Sequence, residues 1–208
     1  MARIGLFGGS FDPVHTGHLI AAECCREQAG LDRVIFMPAA VPPHKQDHHL
    51  SASEHRVMML RLAVGGNDAF RVSTDEIDRG GVSYTVETLD RVRSAHPGDE
   101  ILLILGPDAI REFPTWREPG KILGMAHVLI MERDTLDDAE ALRKDQAVVA
   151  LFGRERLEQI IAARVRLPAI GIRASDLRAA IAAGRSIRYR TPRAVEQYIL
   201  TNRLYRPT

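Results

Sequence analysis

Short apolar runs alternate with amphipathic segments along most of the chain. Each run is brief and continuous, and most end at glycine, proline or a polar turn, as buried strands do. The predicted strands are residues 3–7, 33–37, 70–73, 101–105, 127–131 and 147–152, with a last strand inside 165–172. This alternation of strand and helix favours a mostly parallel sheet that is covered by helices on both faces.

The segments between these runs have helical spacing or helix-capping residues. Predicted helices are 15–29, 51–64, 85–95, 109–113, 118–123, 137–144 and 154–163, one from Ser175 to Gly184, and one after Thr191-Pro192. Ser51 and Glu54 form a capping-box pattern, and Ser175 and Thr191 are predicted N-caps. Gly30 is suited to the position just beyond the first helix. Residues 38–50 and 74–83 are predicted as loop and polar turn.

Composition narrows the class of protein. The 208 residues contain 28 basic and 27 acidic side chains, a net charge of +1, which argues against a general nucleic-acid binder. The two cysteines, Cys24 and Cys25, are adjacent in a predicted helix, so they indicate neither a disulfide nor a metal site. No apolar run is long enough to span a membrane. We expect a cytoplasmic protein, whose oligomeric state the sequence leaves open.

The stretch around Gly8-Gly9 joins a strand, a glycine turn and a helix start. Glycine lets a ligand approach the backbone closely, and the free amides and dipole at a helix N-terminus favour an anion. His15 and His18 are three residues apart, so they share one face of the first helical turn. The pattern predicts a phosphate site with two imidazoles beside it.

This site matches neither of two common phosphate motifs. The chain has no Gly-x4-Gly-Lys-Ser/Thr sequence, and its first glycines do not fit Gly-x-Gly-x-x-Gly. Instead, the string from Gly8 to His18 resembles the signature of the nucleotidyltransferase superfamily with a His-x-Gly-His motif. That resemblance implies transfer of a nucleotide's α-phosphate to an acceptor phosphate, with release of pyrophosphate.

Other segments bear on the acceptor. His44 and Lys45 follow two prolines on a stiff loop, and Arg56 lies in the next helix, so three cationic groups could bind an acceptor phosphate. A solvated loop is the alternative. Asp108 follows the strand 101–105, at the sheet edge where α/β proteins bind ligands. Trp116, the only tryptophan, could be a core residue or could stack on a ligand ring.

Nearly the whole chain resembles bacterial nicotinate-nucleotide adenylyltransferases. The resemblance includes Ser83-Tyr84-Thr85 followed by Thr88-Leu89, the Gly106-x-Asp108…Trp116 pair, and the tail from Ser175-Asp176-Leu177-Arg178 to Asn202-Arg203-Leu204-Tyr205. It implies adenylyl transfer from ATP to nicotinate mononucleotide, giving deamido-NAD and pyrophosphate. The implied fold is α/β: a single Rossmann-like, doubly wound domain over 1–208, with a small C-terminal helical appendage from about 173.

The resemblance also implies roles for individual residues. The expected catalytic residues are His15, His18 and Arg178. The expected ATP-binding residues are Gly8, Gly9, Ser10, Phe11, His15, His18, Gly106, Asp108, Ser175 and Arg178. The expected acceptor-binding residues are His44, Lys45, Arg56, Thr85 and Trp116. Mg²⁺ is expected to accompany ATP with few or no direct protein ligands.

The chain departs from the family pattern in two places. Arg173-Ala174 replaces a Ser-Ser pair, and Glu132-Arg133-Asp134 stands where an Arg-Pro-Gly turn is often found. Other readings of the same chemistry remain open: nicotinamide mononucleotide or phosphopantetheine as acceptor, or a cytidylyltransferase. A nucleotide-binding module that has lost catalysis is the alternative from another class.

Overall fold

The computed structural model describes residues 1–43, 50–133 and 136–206 and contains a six-stranded parallel sheet. The strands are β1 (Arg3–Gly9), β2 (Arg33–Pro38), β3 (Phe70–Val72), β4 (Glu100–Leu105), β5 (His127–Arg133) and β6 (Val165–Leu167). Their order across the sheet is β3-β2-β1-β4-β5-β6, and every neighbouring pair is parallel. The predicted α/β class and doubly wound, Rossmann-like sheet are confirmed.

Helices connect the strands and cover both faces of the sheet. In the described ranges they are α1 (Thr16–Gln28), α2 (Ser53–Val64), α3 (Asp75–Arg79), α4 (Thr85–Ala95), α5 (Pro107–Glu112), α6 (Pro119–Met125), α7 (Leu136–Lys144), α8 (Gln146–Phe152), α9 (Arg154–Ala162), α10 (Ala174–Ala182) and α11 (Arg193–Thr201). A 3₁₀ turn, Phe113–Thr115, joins α5 to the segment before α6. None of these helices is long and apolar enough to cross a membrane.

The apolar run of β4 is continuous because both of its faces are covered. Ile101 and Leu103 belong to one buried cluster, and Leu102 and Ile104 belong to the other. Successive side chains of a strand point to opposite faces, so a strand in the centre of a two-sided sheet needs apolar residues at every position.

The C-terminal helices share a core with the sheet. Leu177 of α10 and Val195 and Ile199 of α11 are fully buried, and they lie in the same cluster as Phe36 of β2. The single-domain organisation with a helical end from about 173 remains a prediction, and this common core supports it.

The predicted strand at residues 147–152 is wrong, because this segment forms α8. Asp145 precedes it, and its carboxylate accepts hydrogen bonds from the N–H groups of Ala147 and Val148 at 3.0 and 3.1 Å. Val148 and Phe152 are four residues apart and both buried. The N-cap and this helical spacing explain why a continuous apolar run is helical here.

Three predicted N-caps are also wrong. The residues at the cap positions of α2, α10 and α11 are Ala52, Arg173 and Pro192, and none makes a side-chain capping bond. The Thr191 hydroxyl and the backbone N–H of Ser51 bind the loop after β1, as described below. The predicted polar segment 74–83 contains the short helix α3. Gly30 follows α1 with a φ of +60°, as predicted.

Candidate active site

The centre of the sheet has an open crevice at the carboxyl ends of β1 and β4. These strands are neighbours, and the chain order runs outward from them in opposite directions. Ligands of open α/β sheets bind at such a reversal. At Gly8 and at Gly106, no described atom lies within 4 Å of the position that a Cβ would occupy. The backbone at both strand ends is therefore open to a ligand.

The loop after β1 folds back over its own strand. Phe11 has a φ of +47° and is almost completely buried, with its ring edge-on to Phe7 at 5.6 Å between ring centroids. A Cβ on Gly9 would stand 3.0 Å from the Phe11 ring. Glycine at residue 9 therefore favours this close approach, which a Cβ would crowd. The predicted ATP-binding role of Phe11 stays a prediction, since its ring packs beneath the loop.

His15 and His18 stack on one another at the start of α1. Their ring centroids are 3.6 Å apart with an interplanar angle of 21°, and His18 Nδ1 accepts a hydrogen bond from the His15 backbone N–H at 3.2 Å. A Cβ on Gly17 would lie 3.0 Å from His15 Nδ1. The glycine between the histidines thus makes room for this stacked pair. Two imidazoles at the positive end of a helix can stabilise an anion.

A cavity of about 180 Å³, the histidine pocket, lies on one side of the β1 end. It brings together four residues that the sequence predicts for ATP; they are His15, His18, Gly106 and Asp108. The Asp108 side chain is exposed and forms an ion pair with Arg111 at 2.7 Å. The pocket has the polar lining and the helix N-terminus that nucleotide phosphates need.

A second cavity of about 360 Å³, the tryptophan pocket, lies on the other side of the β1 end. It brings together Thr85 and Trp116, which the sequence predicts for the acceptor. Gly8, Gly9 and Ser10 line this pocket as well. Phe7 lines the histidine pocket. Leu6 and Gly8 thus line one cavity and Phe7 lines the other, so the two cavities lie against opposite faces of β1.

The tryptophan pocket combines apolar walls with a few polar groups. The Trp116 indole N–H is buried and has no hydrogen-bond partner in the described residues. Glu76 is buried and accepts a hydrogen bond from the Thr88 hydroxyl at 2.6 Å. The Arg117 guanidinium lies 4.8 Å from the centroid of the Tyr84 ring. Such a site suits an aromatic ring that carries polar substituents.

Two of these lining residues were not singled out from the sequence. Glu76 lies on α3, which the sequence analysis predicts as a polar turn, so its burial has no local signal. Arg117 directly follows Trp116, and that adjacency was the available signal.

Arg56 is predicted to bind the acceptor phosphate, but the structure buries it away from both pockets. Its side chain is only 2% exposed. The guanidinium donates hydrogen bonds to the backbone carbonyls of Ser10, Ala39 and Ser51 at 2.8–3.0 Å, and to Ala40 at 3.4 Å. These contacts cross-link the loop after β1 to the segment after β2. Its role in binding the acceptor phosphate remains a prediction. These contacts do not favour that role, because the guanidinium already binds backbone carbonyls.

Other predicted residues lie at or beyond the edge of the site. Arg178 donates to the backbone carbonyl of Asp12 at 2.6 Å, and it lines neither pocket. The Ser175 hydroxyl is exposed, 3.3 Å from the Asp176 carboxylate. His44 and Lys45 lie outside the described residues. In the described ranges, no group of three or more His, Cys, Asp or Glu side chains could hold a metal ion.

Comparisons with known proteins agree with this geometry. Residues 6–180 match the model of the cytidylyltransferase-like family. A relative from Thermus thermophilus is 43% identical over 98% of this chain and 100% of its own length. One from Salinibacter ruber is 41% identical, with 99% and 98% covered. Both are named as probable nicotinate-nucleotide adenylyltransferases.

Solved structures share the fold at low sequence identity. Plasmodium falciparum nicotinic acid mononucleotide adenylyltransferase complexed with NaAD has a TM-score of 0.72 and 16% identity, with 99% of this chain and 98% of that chain covered. Fold, site and matches define a nucleotidyltransferase of the cytidylyltransferase-like family. Within it, the chain belongs to the nicotinate-nucleotide adenylyltransferases.

Proposed function

We propose that this protein transfers the adenylyl group of ATP to nicotinate mononucleotide, giving deamido-NAD and pyrophosphate, in NAD biosynthesis. The observation that carries the proposal is the pair of pockets on the two sides of the β1 carboxyl end. Adenylyl transfer needs two substrates whose phosphates meet, and consecutive residues of β1, Phe7 and Gly8, line the two pockets. The names of the curated relatives support the choice of substrates.

ATP is assigned to the histidine pocket. Its adenosine would lie near Gly106 and Asp108, and its α-phosphate near the amides of the loop after β1. His15 and His18 would donate to the oxygens of the transferring phosphoryl group, at the positive end of α1. Arg178 and Ser175 would lie toward the departing pyrophosphate.

Nicotinate mononucleotide is assigned to the tryptophan pocket. Its pyridine ring would lie against Trp116, with Thr85 beside it. Its phosphate would point toward Gly9 and Ser10, which line this pocket at the end of β1. His44 and Lys45 are the predicted partners of that phosphate.

The reaction is a direct in-line displacement. A phosphate oxygen of nicotinate mononucleotide forms a bond to the α-phosphorus of ATP, and the bond from that phosphorus to the bridging β-oxygen breaks, so that pyrophosphate leaves. The attacking phosphate is already ionised near pH 7, so a general base is unnecessary. The protein supplies position and charge stabilisation. No covalent enzyme intermediate is formed.

Mg²⁺ is part of this proposal. Bound to the ATP phosphates, it would neutralise charge as pyrophosphate forms. The histidine pocket offers imidazoles and one exposed carboxylate, Asp108, which fits an ion that keeps its waters and is held by the nucleotide. A cytoplasmic location also belongs to the proposal, and the free thiols of Cys24 and Cys25 support a reducing compartment.

Labelled ATP tests which phosphorus of ATP is transferred to the acceptor. With ATP labelled at the α-phosphorus, the label is expected in a dinucleotide product, and with γ-labelled ATP it is expected in pyrophosphate. Appearance of the γ-label on the acceptor would identify a kinase and contradict the proposal. A label that remains on the denatured protein after precipitation would contradict the direct displacement.

A further inference from the structure

The loop between the two pockets is held by a buried carboxylate, Asp12. This side chain is 3% exposed. Its Oδ1 accepts a hydrogen bond from the Tyr205 hydroxyl at 2.5 Å, and its Oδ2 accepts one from the Ser51 backbone N–H at 3.1 Å. Asp12 therefore joins three distant parts of the chain: the loop after β1, the segment before α2, and the C-terminal end.

The buried guanidinium of Arg56 contacts the same segments as Asp12. Arg56 binds the carbonyl of Ser51, whose N–H binds Asp12, and it also binds the carbonyl of Ser10 in the same loop as Asp12. Burial lowers the pKa of Arg56, and the charge of Asp12 is the first of the groups that oppose this effect. Asp12 of the loop and Arg56 of α2 thus both bind Ser51, and Arg56 also binds the loop at Ser10.

The C-terminal segment contacts the same loop and the start of α1 at three further points. Arg178 donates to the Asp12 carbonyl at 2.6 Å, and the Thr191 hydroxyl donates to the Val14 carbonyl at 3.0 Å. The backbone N–H of Thr16 donates to the carbonyl of Arg190 at 2.9 Å. Tyr205 is the last residue of this set, 193 positions from Asp12 in the chain.

We propose that Tyr205 is a positioning residue, whose hydroxyl acts through Asp12 to hold Ser10 and His15 in the geometry needed for adenylyl transfer. The inference rests on the proposed function. Tyr205 lines neither pocket, so it does not touch the reacting atoms. Its effect passes through Asp12 to the residues on either side, Ser10 at the tryptophan pocket and His15 at the histidine pocket.

The Tyr205 hydroxyl is suited to this part because it remains a donor. Burial raises the pKa of Tyr205, and the negative charge of Asp12 raises it further. The phenol therefore stays protonated throughout the neutral range. The Tyr205 ring also packs against the buried cluster under the sheet. Replacement by phenylalanine keeps that packing and removes the hydroxyl, which also makes a weak contact with Met59 Sδ at 4.0 Å.

The test compares Tyr205→Phe with Tyr189→Phe, a matched control on a side chain that is 87% exposed. Adenylyl transfer is measured well below the melting temperature, and kcat is expressed per folded site. We expect kcat to fall about tenfold in Tyr205→Phe, because a small misplacement of reacting groups is costly. The KM values for both substrates are expected within about threefold of wild type. Tyr189→Phe should match wild type.

A second variant tests whether the hydroxyl acts through Asp12. Asp12→Ala breaks the same link from the loop side, because it removes the carboxylate that accepts from the Tyr205 hydroxyl. In the double variant, Tyr205→Phe should then add little to the loss caused by Asp12→Ala. Fully additive losses would overturn the proposal. So would a Tyr205→Phe enzyme with unchanged kcat per folded site, even if its melting temperature falls.

Histidine NMR separates failure of this inference from failure of the proposed function. The imidazole signals of His15 and His18 should shift in Tyr205→Phe, while that of exposed His127, at the start of β5, should not. A wild-type protein that transfers adenylyl to no acceptor would refute the proposed function, and the NMR comparison would then decide the positional claim alone. Unchanged His15 and His18 signals would overturn it.

Discussion

His15 and His18 are the residues whose geometry follows most directly from the sequence. Their spacing predicts that they share one face of α1, and their rings are stacked there. Arg56 shows the limit of such reasoning. Its cationic side chain and its place near His44 suggest a ligand phosphate, but the structure turns it inward onto backbone carbonyls. The sequence identifies Arg56 as a hydrogen-bond donor, but the acceptors that it binds depend on the fold.

Replacement of His18 by alanine tests the role of the stacked pair. We expect kcat for pyrophosphate release to fall about 10²–10³-fold, as it does when one donor to a developing charge is lost. His127→Ala is the control, because that imidazole is exposed at the amino end of β5, away from the crevice. A His18→Ala enzyme with near-normal turnover would remove His18 from the mechanism.

Replacement of Trp116 by alanine tests the acceptor pocket. Loss of ring stacking and packing should raise the KM for the acceptor by about tenfold, since stacked rings contribute about 0.5–1.5 kcal/mol beyond their buried area. The KM for ATP should change less than about twofold. Because Trp116 is the only tryptophan, its fluorescence in the wild type should respond to the acceptor. Equal effects on both substrates would contradict separate pockets.

At the scale of elements, the predicted strands agree with the structure where both faces of the sheet are buried. The segment that forms α8 is predicted wrongly as a strand. The run 147–152 is apolar throughout, and only Asp145 before it signals a helix. Predicted caps failed for a related reason. The Thr191 hydroxyl could cap α11, but it donates to the Val14 carbonyl in the loop after β1 instead. Tertiary contacts of this kind compete with local capping and leave no trace in sequence spacing.

Helix α1 carries a testable dependence of stability on pH. Burial raises the pKa of the Cys25 thiol to about 12. The unfolded chain loses this proton near the ordinary thiol pKa of about 8.5, so it binds fewer protons than the folded protein above that pH. The contribution of Cys25 is therefore full below about pH 8.5. It declines by at most about 1.4 kcal/mol per pH unit as the pH rises toward the folded value.

Urea unfolding at pH 7, 9 and 10 checks this expectation. Cys25→Ala should lower the free energy of unfolding at pH 7, by about 1 kcal/mol for the lost side chain. It should then lose less stability than wild type between pH 9 and 10. Cys24→Ala, at the neighbouring and less buried thiol, should follow the wild-type slope more closely. Parallel curves for wild type and Cys25→Ala would show that the buried thiol does not control this range.

At the scale of the whole molecule, alternation of strand and helix predicted the parallel sheet but not its strand order. The order β3-β2-β1-β4-β5-β6 decides that Gly8 and Gly106 border one crevice. Likewise, the tail was predicted as a helical end, while the bond from Tyr205 to Asp12 joins residues 193 positions apart. Such contacts depend on how complete elements pack, which local patterns do not encode.

The central claim is that the two pockets bind ATP and nicotinate mononucleotide for adenylyl transfer. The most direct measurement is pyrophosphate release with ATP and Mg²⁺, with the nucleotide product identified by mass. The acceptors to compare are nicotinate mononucleotide, nicotinamide mononucleotide and phosphopantetheine. We predict the highest kcat/KM with nicotinate mononucleotide, with deamido-NAD and pyrophosphate formed in equal amounts. A higher kcat/KM with either other acceptor, or no release with any of them, would contradict the claim.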